Sequence, residues 1–313
     1  MMNKTAVIFP GQGSQYLGMG AEFIAASDKA AGLMARADEI SGLPISRLVS
    51  EGPMADLTRT LHLQPAMTVV NLICWQAFLA TGVKVDYLAG HSLGEYAALA
   101  AAGILDDEAV LRLVTERGRL MEREAAANPG GMIAALGLDI EVVREIVAEV
   151  GMEGRITAAN HNCATQIVIS GSAEALDIAA PLIKERGGKA IPLKVSGPWH
   201  SELIAGAITD FVVAMEKETF NAPKTPVFFN VTAGLEDDPA AIRDIMARQI
   251  ASTVRWYEII NRMLELGVRN FIEIGPKGVL SSLVKKIVPA DLDCRVIQAD
   301  TPEGMAALAG ELL

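Results

Sequence analysis

The stretch Val85-Asp86-Tyr87-Leu88-Ala89-Gly90-His91-Ser92-Leu93-Gly94-Glu95-Tyr96, with the alanine- and leucine-rich run behind it, decides the fold class. Val85 to Ala89 reads as a short buried strand ending at Gly90, and Leu93 to Ala102 reads as a helix. Between them Gly90-His91-Ser92-Leu93-Gly94 fits G-x-S-x-G, the string found where a strand turns sharply into a helix and exposes a serine hydroxyl. The flanking glycines leave room for that passage. The Leu93 N–H, at the helix N-terminus, is placed to stabilise an oxyanion. A tight loop with a capping serine is the plainer reading of the same residues.

Working outward, short apolar runs alternate with helical patterns. Thr5 to Phe9 reads as a buried strand stopped by Pro10 and Gly11. Pro65 to Ala80 reads as a helix, and so does Asp106 to Ala127, with Asp106 as its N-cap. Strands are expected near Val227 to Asn230 and at Phe271 to Ile274. Helices are expected from about Pro239, from near Val254, and after Gly275-Pro276 as far as Ile287. This alternation predicts an α/β protein with a mostly parallel sheet covered on both faces. Asn128-Pro129-Gly130-Gly131 interrupts the rhythm. Behind it come strand Met132 to Leu138, helix Asp139 to Val150, strands Arg155 to Ala159 and Gln166 to Ser170, helix Ala173 to Arg186 and strand Ala190 to Val195. The order β-α-β-β-α-β predicts a small ferredoxin-like subdomain over 129–196. It would be inserted into a larger, discontinuous domain made of 1–128 and 197–313.

Composition narrows the function classes. The 313 residues are 51% apolar and 21% charged, an ordinary globular balance. A net charge of −11 argues against nucleic acid, whose binding is dominated by phosphate neutralisation. Cys74, Cys163 and Cys294 form no C-x-x-C, and the four histidines form no H-x-x-x-H pair, so neither a disulfide framework nor a metal site is expected. Mean hydropathy is high at +0.31. Even so, no run approaches the ~18 uncharged apolar residues of a membrane span. Met1 to Phe9 is too short for a signal-peptide core. The expectation is a cytoplasmic protein that does not enter a membrane.

A serine nucleophile needs a base. His91 adjoins Ser92, but neighbours in such a turn point apart. His62 lies in a loop without special context. His161, among Asn160, Asn162 and Cys163, reads as a hydrogen-bonded structural histidine. By elimination the base is His200, which Ser196-Gly197-Pro198-Trp199 presents on a loop, with a structural role as the alternative. No acid stands out as a third member, and a carbonyl oxygen can orient the imidazole instead. The loop Pro10-Gly11-Gln12-Gly13-Ser14-Gln15 looks like a phosphate loop. It fails the dinucleotide pattern at Tyr16 and the P-loop pattern at Gly18-Met19. Its N–H groups, that of Gln12 foremost, suit an oxyanion pocket; a plain glycine turn is the alternative. Arg117 is the odd residue of its helix. It lies within three or four residues of Leu113, Val114, Leu120 and Met121, on the apolar stripe, whereas Arg112, Arg119 and Arg123 fall among glutamates. A buried guanidinium stays charged. It pairs with a distant acid, binds a carboxylate ligand, or snorkels.

Taken in order, Phe9-Pro10-Gly11-Gln12-Gly13-Ser14-Gln15, Gln64-Pro65-Ala66, Gly90-His91-Ser92-Leu93-Gly94-Glu95-Tyr96, Arg117-Gly118, Gln166 to Gly171, His200-Ser201 and Glu273-Ile274-Gly275-Pro276 span nearly the whole chain. In them the chain resembles the malonyl-CoA:acyl carrier protein transacylases, acyltransferases of bacterial fatty acid synthesis. The resemblance implies a hydrolase-like α/β domain with a ferredoxin-like insert. It implies transfer of malonyl from malonyl-CoA to the phosphopantetheine thiol of acyl carrier protein, with no metal or redox cofactor. Ser92 would be the nucleophile and His200 the base, oriented by the backbone carbonyl of Gln249. Gln12 and Leu93 would form the oxyanion hole. Arg117 would hold the malonyl carboxylate, and Asn160 and Asn162 would lie near the acyl and thioester pocket. The family's Gly-Pro-Gly-Lys is Gly275-Pro276-Lys277-Gly278 here, which alters the basic surface. Because carrier proteins are acidic, docking needs a local basic patch, and Lys285-Lys286 with Lys189 is the candidate. The rival readings are a serine esterase or thioesterase, a noncatalytic carrier-binding module, and a stand-alone acyltransferase of a polyketide or malonate pathway.

Overall fold

The computed structural model describes residues 3–152 and 154–312. Its strands, in chain order, are β1 (Lys4–Phe9), β2 (Tyr87–Gly90), β3 (Gly130–Leu136), β4 (Ile156–Cys163), β5 (Gln166–Ser172), β6 (Lys189–Pro192), β7 (Val227–Phe228), β8 (Val268–Ile274) and β9 (Arg295–Ala299). They form two sheets. The larger has the order β7-β2-β1-β8-β9, and every pair in it is parallel. Its central strand β1 is fully buried from Ala6 to Phe9, as a continuous apolar run between two helical layers must be. The smaller has the order β4-β5-β3-β6, with every pair antiparallel. Helices Ile140–Val150 and Ala173–Glu185 complete its β-α-β-β-α-β order. The small sheet has a core of its own, drawn only from residues between Ile133 and Ile183.

The expected α/β alternation with a mostly parallel sheet is what the structure contains. Several elements differ in extent. The helix expected from Pro65 begins at Thr60, and Pro65 is its sixth residue, past the first turn, where the missing N–H leaves the Leu61 carbonyl without its usual helical donor. The expected strand Val227 to Asn230 stops at Phe228, because Asn230 leaves the ladder to bond the Ser92 loop. The expected strand Ala190 to Val195 is Lys189–Pro192, since proline ends the run of donors. Strand β9 and helices Ala207–Met215 and Pro302–Leu312 have no counterpart in the sequence reading. Helix Asp107–Ala127 packs against helix Thr60–Leu79 at Gly118, where a Cβ would come within 3.0 Å of the Thr60 carbonyl oxygen. That close approach carries Arg117 into the protein interior. Among the described residues, no helix is long and apolar enough to cross a membrane.

Candidate active site

The site forms at the carboxyl ends of β1 and β2, the usual crevice of an open parallel sheet. Residues Gly90 to Gly94 turn from β2 into helix Gly94–Ala101, and Ser92 adopts φ 51°. A non-glycine residue in that region is strained, and here the strain projects the hydroxyl from the turn. A Cβ on Gly90 would overlap the Gly94 backbone, and one on Gly94 would overlap the Phe9 carbonyl. One on Gly11 would overlap the His91 carbonyl. The turn and the first loop therefore pack backbone against backbone. Asn71 Nδ2 fixes that loop by donating to the Pro10 carbonyl at 2.9 Å, and the Gly13 N–H donates to Gln15 Oε1 at 2.8 Å. Among the described residues, neither the Gln12 nor the Leu93 N–H donates to a protein acceptor.

Ser92 Oγ lies 2.7 Å from His200 Nε2. His200 Nδ1 lies 3.1 Å from two main-chain carbonyls, those of Gln249 and Ser252. Carbonyls only accept, so Nδ1 carries the proton and Nε2 is left to accept from the serine. Burial pushes the imidazole down to about 3 from 6.5, and the Arg117 charge adds to the shift. The ring is therefore neutral at rest, the state a base requires.

Arg117 is 1% exposed. Its Nη1 donates to Gln64 Oε1 at 3.0 Å and its Nη2 to Gln249 Oε1 at 2.9 Å, while Nε has no partner among the described residues. Its guanidinium carbon stands 5.6 Å from the centre of the Tyr96 ring. The surrounding arginines behave as expected of a solvated face: Arg112 pairs with Glu218, Arg119 with Glu116 and Arg123 with Asp210. Gln249 Nε2 donates to the Ser92 carbonyl at 2.8 Å and to Glu95 Oε2 at 2.6 Å. Asn230 accepts from the Ser92 N–H at 2.7 Å, donates to the Gly90 carbonyl at 2.7 Å, and donates its own N–H to Glu95 Oε1 at 2.8 Å. Burial pushes the Glu95 carboxyl up to about 7, against the pull of Gln249, Asn230 and Arg117.

The structure thus brings Ser92, His200, Gln249, Arg117, Gln12 and Leu93 into one site. Asn162 Oδ1 meets His91 Nε2 at 2.8 Å, holding that ring edge-on to Trp256. Asn160 pairs with Val168 in the small sheet and bridges to Val254. The His161 ring lies tilted against Tyr257, with ring centres 4.8 Å apart. Lys285 and Lys286 occupy the last turn of helix Val279–Ile287, and Lys286 Nζ donates to Gln166 Oε1 at 3.3 Å. Lys189 opens β6 opposite Leu136, which in turn pairs with Gln166. Sequence reasoning missed the roles of Glu95, Gln64, Asn230 and Ser252. Glu95 and Gln64 are polar residues inside apolar helices, the same signal that singled out Arg117. Ser252 acts through its main chain and leaves no signal.

A family model described as acyl transferase domain matches residues 6–301. The malonyl CoA-acyl carrier protein transacylase of Bacillus subtilis (strain 168) is 42% identical over 288 residues, 91% of each chain. An acyl carrier protein S-malonyltransferase from Vibrio cholerae O1 biovar eltor superposes with a TM-score of 0.93 at 36% identity, covering 98% of this chain and 100% of that one. A malonyl-transacylase solved in complex with its type II PKS acyl-carrier protein superposes with a TM-score of 0.94 at 34% identity, covering 99% and 100%.

Proposed function

This chain belongs to the acyl transferase family, among the malonyl CoA-acyl carrier protein transacylases, and from that premise we propose that it carries malonyl from malonyl-CoA to the phosphopantetheine thiol of acyl carrier protein. The observation that carries the proposal is the 2.7 Å contact of Ser92 Oγ with His200 Nε2 beside a buried arginine. Nε2 takes the serine proton as Oγ attacks the thioester carbonyl. The oxyanion is received by the Gln12 and Leu93 N–H groups. The imidazolium returns its proton to the departing CoA sulfur, leaving a malonyl ester on Ser92. The carrier thiol then gives its proton to Nε2 and attacks that ester, and the imidazolium passes the proton to the departing Ser92 Oγ, which restores the resting pair. Arg117 holds the malonyl carboxylate through two parallel hydrogen bonds. Asn160 and Asn162, both on β4, are assigned to the acyl and thioester pocket as part of the same proposal.

Exchange of one acyl ester or thioester for another moves no electrons between partners, so no redox cofactor enters this scheme, and the Gln12 and Leu93 N–H groups do the carbonyl polarisation that a metal would do elsewhere. The strand order β4-β5-β3-β6 supports a ferredoxin-like subdomain over 129–196, inserted into a hydrolase-like domain of 1–128 and 197–313. A cytoplasmic setting is part of the same proposal, since both substrates are water-borne. The test is intact mass after mixing with malonyl-CoA. One malonyl group should be added, and Ser92→Ala should lose it. Modification that persists in Ser92→Ala would sink the assignment. An ester that water clears as fast as a thiol does would mark a thioesterase instead.

A further inference from the structure

Glu95 is fully buried in the first turn of helix Gly94–Ala101, and two donors face it. The Asn230 N–H points at Oε1 from 2.8 Å, and Gln249 Nε2 points at Oε2 from 2.6 Å. These two hydrogen bonds and the Arg117 charge favour the carboxylate against its burial, and a carboxylate has only acceptors to offer. The main-chain donor of Asn230 cannot turn round, so the Gln249 amide must present its nitrogen to Glu95. Its oxygen then faces the other way, where it accepts Arg117 Nη2 at 2.9 Å. We propose that Glu95 is a positioning residue that fixes the orientation of the Gln249 amide and so holds the Arg117 guanidinium ready for the acyl carboxylate. This rests on the reading of Arg117 given under Proposed function. Burial strengthens the argument: two unlike charges separated by one amide offset each other without pairing, which leaves the guanidinium edge free of a protein carboxylate.

Glutamine at position 95 would break the logic at constant size. Its oxygen would stay on the Asn230 N–H and its nitrogen would face Gln249. The Gln249 amide would have to flip, withdraw its donor from the Ser92 carbonyl and set an NH2 group against Arg117. The experiment compares two rates on folded protein. Malonyl ester formation at low malonyl-CoA needs both Arg117 and the Ser92–His200 pair. Labelling of Ser92 by phenylmethylsulfonyl fluoride, a neutral reagent, needs only the pair.

In Glu95→Gln the malonyl rate should fall by about tenfold or more while sulfonylation of Ser92 stays within about threefold. Glu95→Asp, still an acceptor-only carboxylate, should keep most of the malonyl rate. Glu95→Ala, which frees the amide, is read in the same way if Glu95→Gln does not fold. Equal changes in both rates, an Asp variant as impaired as the others, or failure of both Glu95→Gln and Glu95→Ala to fold would show a purely scaffolding residue and overturn the proposal. If Ser92 of the unmodified protein is sulfonylated by phenylmethylsulfonyl fluoride but forms no malonyl ester, the proposed function fails, whatever Glu95 does.

Discussion

Arg117 donates through Nη2 to the side-chain oxygen of Gln249 at 2.9 Å, and the main-chain carbonyl of the same Gln249 accepts from His200 Nδ1 at 3.1 Å. One residue therefore joins the group that recognises the acyl carboxylate to the group that moves the proton. Gln249 sits at the end of helix Pro239–Arg248, and its main chain continues into Ser252, the second acceptor of the imidazole. Shifts of the main chain at that corner act on recognition and catalysis together, whereas a turn of the Gln249 side-chain amide acts on recognition.

Arg117→Ala should lose malonyl transfer by orders of magnitude. Truncating one side of a buried charge-assisted pair costs about 2–5 kcal/mol. Neutral acyl groups make no such pair, so their transfer should be retained or rise. Arg117→Lys should rescue poorly, because an ammonium lacks the planar fork. The measurement is the ratio of kcat/KM for malonyl-CoA and acetyl-CoA, with a thermal melt to confirm folding. Equal loss of both substrates would remove Arg117 as the carboxylate reader.

His200 gives a pH signature. Its folded-state value of about 3 lies below the ordinary 6.5. The base is thus neutral throughout the range where a solvated histidine would already be protonated. The rate at which phenylmethylsulfonyl fluoride labels Ser92, which needs only the Ser92–His200 pair, should stay flat between about pH 5 and 7 and fall only in stronger acid. The stability consequence has a fixed sign. A depressed value means the folded protein resists protonation, so this contribution is present above 6.5 and is lost as pH falls toward 3. An inflection of the rate near 6.5 would show an imidazole in water and contradict the buried dyad.

Much of this arrangement was legible in the sequence because it is written in local patterns. The elbow is a strand, two glycines and a helix, and the geometry that enforces it is backbone against backbone at Gly11, Gly90 and Gly94. Arg117 was legible because a cation on an apolar stripe violates the helical period. The β-α-β-β-α-β order followed from alternation and a breaker cluster. Glu95 and Asn230 were not legible as a network, since their partners lie 135 to 154 positions away along the chain. The second carbonyl on His200 belongs to Ser252, whose side chain instead bonds the Arg248 carbonyl. Helices near the amino end escaped notice because their apolar stripes are short and broken by alanine.

Carrier-protein docking sets a problem of charge. The chain carries −11 and its acidic partner is also negative, so the overall fields repel and association needs a local cationic surface. Lys285 and Lys286 are exposed at the end of helix Val279–Ile287, where they also offset the helix dipole. Lys286 reaches Gln166, and Gln166 is joined through Leu136 to the exposed Lys189, so the three cations lie toward one end of the small sheet. Reversing Lys285 and Lys286 to glutamate should raise the carrier-protein KM by about tenfold at low salt, through a slower encounter, and the difference should shrink as salt screens it. Malonyl ester formation from malonyl-CoA should be unchanged, because neither lysine touches Ser92, His200 or Arg117. The measurement is transfer kinetics with varied carrier protein at two ionic strengths, beside intact mass for the first half-reaction. An unchanged carrier-protein KM would leave these lysines as dipole partners only, and docking would have to use another face.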